Sequence, residues 1–386
     1  MATTKKKKNK KTKKNKEFLR NILIGIIAMI LVGFIINVAP GYKRDKYSNV
    51  TNLVITDENV TEKLKNNIYI NENGTIYMSK EDINNLIDKT IYYDSEANTI
   101  ITTSNISTAH MKIGEKELIV NGAKLQTIDE IIYINDIMYI PISELETVYN
   151  IKIEYKKFSN IVVIDYLDKG IITAELSENT KMKYRPRGLS KKIGELKKSD
   201  RVYAFYTTSK GWRLIRTEDG TIGYVKANTL TNEYIVRQDM TNKKETKQIS
   251  INLQNNDIQQ VDNQKIIVKE LFALSDNGVT LREAIETNDN ESLKIWGNLS
   301  INPEVNLNDF SKRTNAINNI VSIAYTYKIN GINISFNEEN KGIERMIIEL
   351  APRLREMGIS TNIVLNSSID ENKYKEIVDY IITNEW

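Results

Sequence analysis

A long apolar run, Ile22 to Ala39, interrupted only by Asn37, comes directly after a lysine-rich N-terminus. Its length is close to the ~20 apolar residues a helix needs to cross a bilayer. Ten of the 54 basic residues of the chain lie between Lys5 and Arg20, opposed only by Glu17. Flanking lysines of this kind stay on the cytoplasmic side and send the downstream chain outward. The pattern predicts a basic cytoplasmic tail over residues 1–20, a transmembrane helix over 21–39 and an exported remainder. The competing reading is a cleaved signal peptide. Against it, the run exceeds the usual 7–15-residue apolar core, and Asn37-Val38-Ala39-Pro40 is a poor cleavage site.

Charge and composition narrow the rest. The formal +4 belongs to the tail, so the exported part is net acidic and no nucleic-acid partner is expected. With no cysteine there is no disulfide, thiolate metal site or cysteine nucleophile. The lone histidine, His110, cannot build a multi-histidine site and reads as a surface or turn residue. Neither metal nor cofactor is expected. An outward-facing, cysteine-free, lysine-tailed chain fits the cell membrane of a Gram-positive-type bacterium.

At 386 residues several domains fit. Residues 40–65 are polar and read as a spacer. From Asn66 short strands begin: Ile68-Tyr69-Ile70 and Thr75-Ile76-Tyr77-Met78 flank Asn71-Glu72-Asn73-Gly74, a hairpin turn. Ser79 then caps a short helix, with Asp82 in the capping-box position. The pattern Asn121-Gly122 … Tyr139-Ile140-Pro141-Ile142-Ser143-Glu144-Leu145 … Ile151-Lys152-Ile153 … Val162-Val163-Ile164 resembles the copper amine oxidase N-terminal-like, or stalk, domain over 66–168. That resemblance implies an α+β spacer or binding module without copper chemistry.

Residues 170–234 carry short strands with Lys-Gly and Asp-Gly turns, the pattern of a small barrel. Gly211-Trp212-Arg213-Leu214-Ile215 and Asp219-Gly220-Thr221-Ile222-Gly223-Tyr224-Val225 resemble the bacterial Src-homology-3-like domain, whose members commonly attach secreted enzymes to cell-wall peptides. Trp212 reads either as barrel core or as a ligand platform. Tyr184, Tyr203 and Tyr206 are groove candidates, since aromatic faces bind sugars and peptides at low entropic cost.

After a polar linker, residues 249–386 alternate strands with amphipathic helices, which implies a parallel sheet. Within it, Lys328-Ile329-Asn330-Gly331-Ile332-Asn333-Ile334-Ser335-Phe336-Asn337 resembles the signature of glycoside hydrolase family 18, chitinase-like enzymes whose strand reads Asp-Gly-x-Asp-x-Asp-x-Glu. In that family the Glu protonates the glycosidic oxygen while the substrate's N-acetyl group attacks, oriented by the Asp two residues earlier. The four acidic positions fall on Asn330, Asn333, Ser335 and Asn337, none of which carries a proton near neutral pH. Alternate strand residues share a face, so Asn333, Ser335 and Asn337 form the inward set. Glu338 is the rescue candidate, reachable only through a bulge.

About 138 residues remain from Ile249 onward, against about 250 for a complete barrel. The expected fold is therefore multidomain: a single transmembrane helix, an α+β stalk-like domain, an all-β Src-homology-3-like barrel, and a partial (β/α) barrel truncated after about six strands. Open edges would leave that barrel to be completed by a partner or a second copy. The acid pattern favours a membrane-anchored envelope protein that binds peptidoglycan or another N-acetylglucosamine glycan, with Trp296 as a stacking candidate or core residue. The alternative is an active glycosidase using Glu338.

Overall fold

The computed structural model describes residues 20–33, 35, 50–240, 245–254, 256–282 and 292–384. It divides into two compact units, residues 1–63 with 152–240, and 64–151 with 241–386. Residues 20–33 are helical. Among the described residues no helix is long and apolar enough to cross a membrane; the rest of the 21–39 segment, residue 35 apart, lies outside them.

In the first unit, part of the stretch read as spacer is a strand. Asn52–Ile55 runs parallel to Ile161–Tyr166, with Leu53 opposite Val162 and Val54 opposite Val163. Four residues are too few to announce a strand in isolation; the distant partner makes it one. A seven-stranded antiparallel sheet comes next, in the order Lys192–Leu196, Thr180–Lys183, Ile222–Lys226, Trp212–Thr217, Arg201–Thr207, Ile171–Leu176, Leu230–Arg237. It wraps a core of Ala174, Leu176, Met182, Leu196, Val202, Ala204, Ile215 and Val225. Glycines hold two tight places. Gly220, at φ +85°, turns the hairpin onto Val163 and Ile161. A Cβ on Gly223 would stand 2.6 Å from both Ile193 Cδ1 and Met182 Cγ. Overpacking of that kind costs about 1–3 kcal/mol, so Gly223→Ala should lower the unfolding midpoint of this unit, read by hydrogen exchange across strand Ile222–Lys226.

One side chain ties the two sheets of this unit together. Arg216, only 2% exposed, donates to both carboxylate oxygens of Asp165 at 2.7 Å and to the Thr56 carbonyl at 2.6 Å.

The second unit begins with the expected hairpin, whose Gly74 sits at φ +86°, and with helix Lys80–Leu86 capped by Ser79. The capping box is modified: the Asp82 carboxylate takes the Ser79 hydroxyl and the backbone N–H groups of Lys65 and Asn66. Beyond the helix lies a five-stranded meander, Tyr92–Asp94, Thr99–Thr103, Thr108–Lys112, Glu117–Val120 and Ala123–Gln126.

The large sheet of this unit comprises β1 (Lys247–Ile251), β2 (Ile258–Val261), β3 (Gln264–Ser275), β4 (Gly278–Leu281), β5 (Leu293–Ile301), β6 (Gly331–Ser335), β7 (Ser360–Val364) and β8 (Tyr380–Asn384). Their order is β1-β8-β7-β6-β5-β3-β2, with β4 beside β3. The expected parallel strands are all present, joined by two antiparallel ones, β2 and β4, that sequence pattern did not reveal. Helices α1 (Phe310–Thr326) and α2 (Lys341–Glu356) cover the outer face. Their Ile317, Ile320, Ile343, Met346, Ile347 and Leu350 pack onto Ile332, Ile334 and Ile363 of the sheet.

The expectation of an open half-barrel needs correction. The sheet curls into a nearly closed mixed barrel, because antiparallel β2 occupies the far edge and approaches β1. Gln259 accepts the Asn252 N–H at 2.7 Å and donates to its carbonyl at 2.6 Å. Ile251, Leu253, Val261, Ile266, Val268, Trp296 and Ile382 fill the space inside. The inner face is filled by this cluster and the outer face of β6 and β7 lies under α1 and α2, while Ile258 of β2 and Leu281 of β4 stay exposed.

Candidate functional site

Across the barrel interior, register aligns Glu270 of β3, Asn298 of β5, Asn333 of β6 and Asn362 of β7. Pleating turns all four inward, and their side chains join into a ladder. Asn362 Nδ2 donates to Asn333 Oδ1 at 2.7 Å, and Asn333 Nδ2 to Asn298 Oδ1 at 2.9 Å. Asn298 Nδ2 donates to Glu270 Oε1 at 2.5 Å and to the Leu253 carbonyl at 3.1 Å. Asn333 and Asn362 are fully buried. Among the described residues Asn362 Oδ1 has no hydrogen-bond partner.

At the C-terminal ends of the strands lies a cavity of about 500 Å³, lined by Arg282, Ser300, Ser335, Asn337, Asn366 and neighbours, with no carboxyl group in its lining among the described residues. Arg282 donates to Ser300 Oγ at 2.8 Å and stands 3.7 Å from Glu270. Ser335 donates to the Leu299 carbonyl at 3.3 Å, and Asn366 to the Phe336 carbonyl at 2.7 Å. Among the described residues this mouth offers amides, hydroxyls and one guanidinium, groups that hold a polar ligand but donate no proton to a leaving oxygen.

The four signature positions separate. Asn330 lies at the start of β6, where its side chain accepts the Ile295 N–H and stitches strands together. Asn333 is the middle of the ladder, while Ser335 and Asn337 meet at the mouth. Glu338 is exposed and outside the cavity lining, and β6 ends at Ser335 without a bulge. Glu339 is held by Tyr374 and Lys373, each at 3.0 Å. Trp296 is 4% exposed, inside the barrel against Tyr380, and is among the residues that line a cavity of about 710 Å³. Glu270, Arg282, Asn298 and Asn362 were missed by sequence reasoning; only cross-strand register identifies them as neighbours.

In the first unit, Tyr184 and Tyr206 line one cavity of about 570 Å³. Tyr203 instead lies beneath the Arg216 guanidinium, 4.7 Å from its ring centre. Trp212 is buried at 7% exposure with Lys226 over its ring, apart from that cavity.

A second polar cluster joins the meander to α1 and α2. Arg313, fully buried, donates to Glu349 at 2.7 Å, to Asp94 at 2.9 Å and to the Leu307 and Asn308 carbonyls. Tyr92 donates to Glu349, and His110 Nε2 lies 3.1 Å from its other oxygen. His110 is thus no surface residue; its ring packs edge-on to Phe310. Burial pushes Glu349 upward, but the His110 hydrogen bond and the Arg313 charge bring it below the usual carboxylate range. Asp94 follows the same balance, burial against the hydrogen bonds of Arg313 and the Ala97 N–H. With all members paired, this cluster braces the meander against α1 and α2.

Known proteins resemble the chain only in parts. Residues 54–164 match the model of the Copper amine oxidase N-terminal domain. A comparison with curated proteins found no match. Among solved structures, a Bacillus subtilis protein described as a sporulation-specific glycosylase is similar at 19% identity and a TM-score of 0.27, over 31% of this chain and 50% of that one. A chitinase of Chromobacterium violaceum is similar at 17% identity and a TM-score of 0.26, over 30% of this chain and 47% of that one. The chain spans about half the length of those structures. Both are distant structural similarities.

Proposed function

We propose that this chain is a non-catalytic binding protein of the bacterial cell envelope. In this reading residues 21–39 anchor it in the cell membrane with the tail cytoplasmic, and the folded units outside engage peptidoglycan or another N-acetylglucosamine-containing glycan. The family-18-like barrel takes part as a degenerate, inactive relative of the enzymes its signature resembles. One observation carries the reading: the barrel mouth is lined by Ser335, Asn337, Asn366 and Arg282, with no carboxyl among them. Losing a general acid removes about 10²–10⁴ in rate.

The full chain should sediment with purified sacculi above a control protein, and release no reducing ends from chitooligosaccharides. Absence of enrichment would end the binding reading. The competing glycosidase reading draws on Glu270, the one carboxylate bonded to the ladder; turnover that disappears in Glu270→Gln would establish it instead.

A further inference from the structure

The cavity of the first unit has two chemically different walls. Tyr184, Tyr206 and Tyr224 form one, together with the Arg185 side of the loop and backed by Leu214, Ile222 and the bare backbone of Gly223, so that among the described residues three acids face a single cation in the lining. Asp57, Glu58 and Glu62, from the turn after strand Asn52–Ile55 and the short helix beyond it, form the other. The Tyr206 and Tyr224 hydroxyls meet at 2.9 Å, which holds both rings at the rim. Tyr206 is half exposed. Burial, the Tyr206 hydrogen bond and the Asp57 charge all push the Tyr224 phenol upward, so Asp57 acts across the gap.

The walls are held at a fixed separation. Arg216 grips the Thr56 carbonyl, one residue before Asp57, from within the tyrosine-bearing sheet. Of the three acids only Glu58 has an ion-pair partner among the described residues, Lys63 at 2.7 Å. No cluster of acids among the described residues is arranged to hold a metal ion. Aromatic faces opposite carboxylates suit an organic cation, attracted by both the ring quadrupole and the charge. A neutral sugar could hydrogen-bond the acids through its hydroxyls but would leave their charge uncompensated.

We propose that this groove recognises a peptide carrying a free primary ammonium group, such as a lysine-type side chain. The acids draw the ammonium in while the tyrosine rings cover its methylene stem. The inference deepens the envelope-binding reading, on which it rests for the source of the ligand.

The test uses the full chain in detergent and titration calorimetry with acetyl-Ala-Lys-Ala-amide. Acetylating the lysine Nε should weaken binding by about tenfold or more. The double variant Asp57→Asn/Glu62→Gln, and separately Tyr206→Ala, should each lose about tenfold. These positions lie outside the cores, and hydrogen exchange across strand Trp212–Thr217 confirms the variants are folded. Equal binding of the acetylated probe, or unchanged affinity in the variants, overturns the proposal, as does no binding at all. If the probe binds only after residues 2–16 are deleted, the tail's lysines compete for the groove in detergent, which supports ammonium recognition. Sacculus sedimentation separates the two readings. Probe binding without sedimentation keeps the groove and discards the envelope partner; sedimentation without probe binding does the reverse.

Discussion

Replacing Arg313 with Met should destabilise the second unit by about 3–5 kcal/mol at neutral pH, the cost of leaving buried charge uncompensated. Asp94 and Glu349 are 2% and 1% exposed, and each accepts a hydrogen bond from that guanidinium. Without it, two carboxylates face each other's field with Arg345, at 3.4 Å from Asp94, and with His110 and Arg353 near Glu349. Hydrogen exchange of α1 and α2 would read the loss directly.

The pH dependence gives the effect its signature. Both carboxyls sit below their ordinary range in the folded protein. Their contribution is therefore present above the unfolded value, about 4, and disappears as pH falls through the depressed folded values. The gap between Arg313→Met and the parent should narrow as pH drops below about 4. A gap independent of pH would mean the arginine acts through packing alone.

The second large effect comes from introducing an acid into the ladder. In Asn333→Asp the substituted side chain keeps its size but enters a fully buried site bordered by Asn298 and Asn362, with no cation among its bonded neighbours. One amide donor is lost, so the contact with Asn298 Oδ1 becomes a clash of acceptors. Burial without a counter-charge raises a carboxyl pKa by several units, and each unit amounts to about 1.4 kcal/mol. A loss of about 3–4 kcal/mol at pH 7 is expected. Because the folded pKa is raised, the penalty holds above that value and fades as pH falls toward about 4. Exchange of the Gly331–Ser335 amides at two pH values would measure it. Retention of full stability at neutral pH would show that the interior still accommodates the charge. The amide at position 333 is thus a structural part of the barrel interior, which is built around its two hydrogen bonds.

Much of the fold was legible in the sequence because it depends on local pattern. The turn at Asn73-Gly74, the cap at Ser79, and the apolar spacing of Ile343, Met346, Ile347 and Leu350 announced their elements correctly. What escaped depends on partners far along the chain. Asn52–Ile55 is a strand only because of Ile161–Tyr166, and the asparagine ladder exists only once four strands fall into register. His110 has no sequence neighbour that hints at Glu349, 239 residues away. Closure of the barrel rested on β2, a four-residue strand tied to Asn252 through the polar side chain of Gln259.

The parallel pairing of Asn52–Ile55 with Ile161–Tyr166 also decides how the first unit bears mechanical load. Tension between the N-terminal side of residue 52 and the chain beyond residue 166 pulls the two strands along their length in opposite directions. All their backbone bonds are then strained together in shear, and none can be peeled away first. The first unit is thus braced against a pull applied from its N-terminal side.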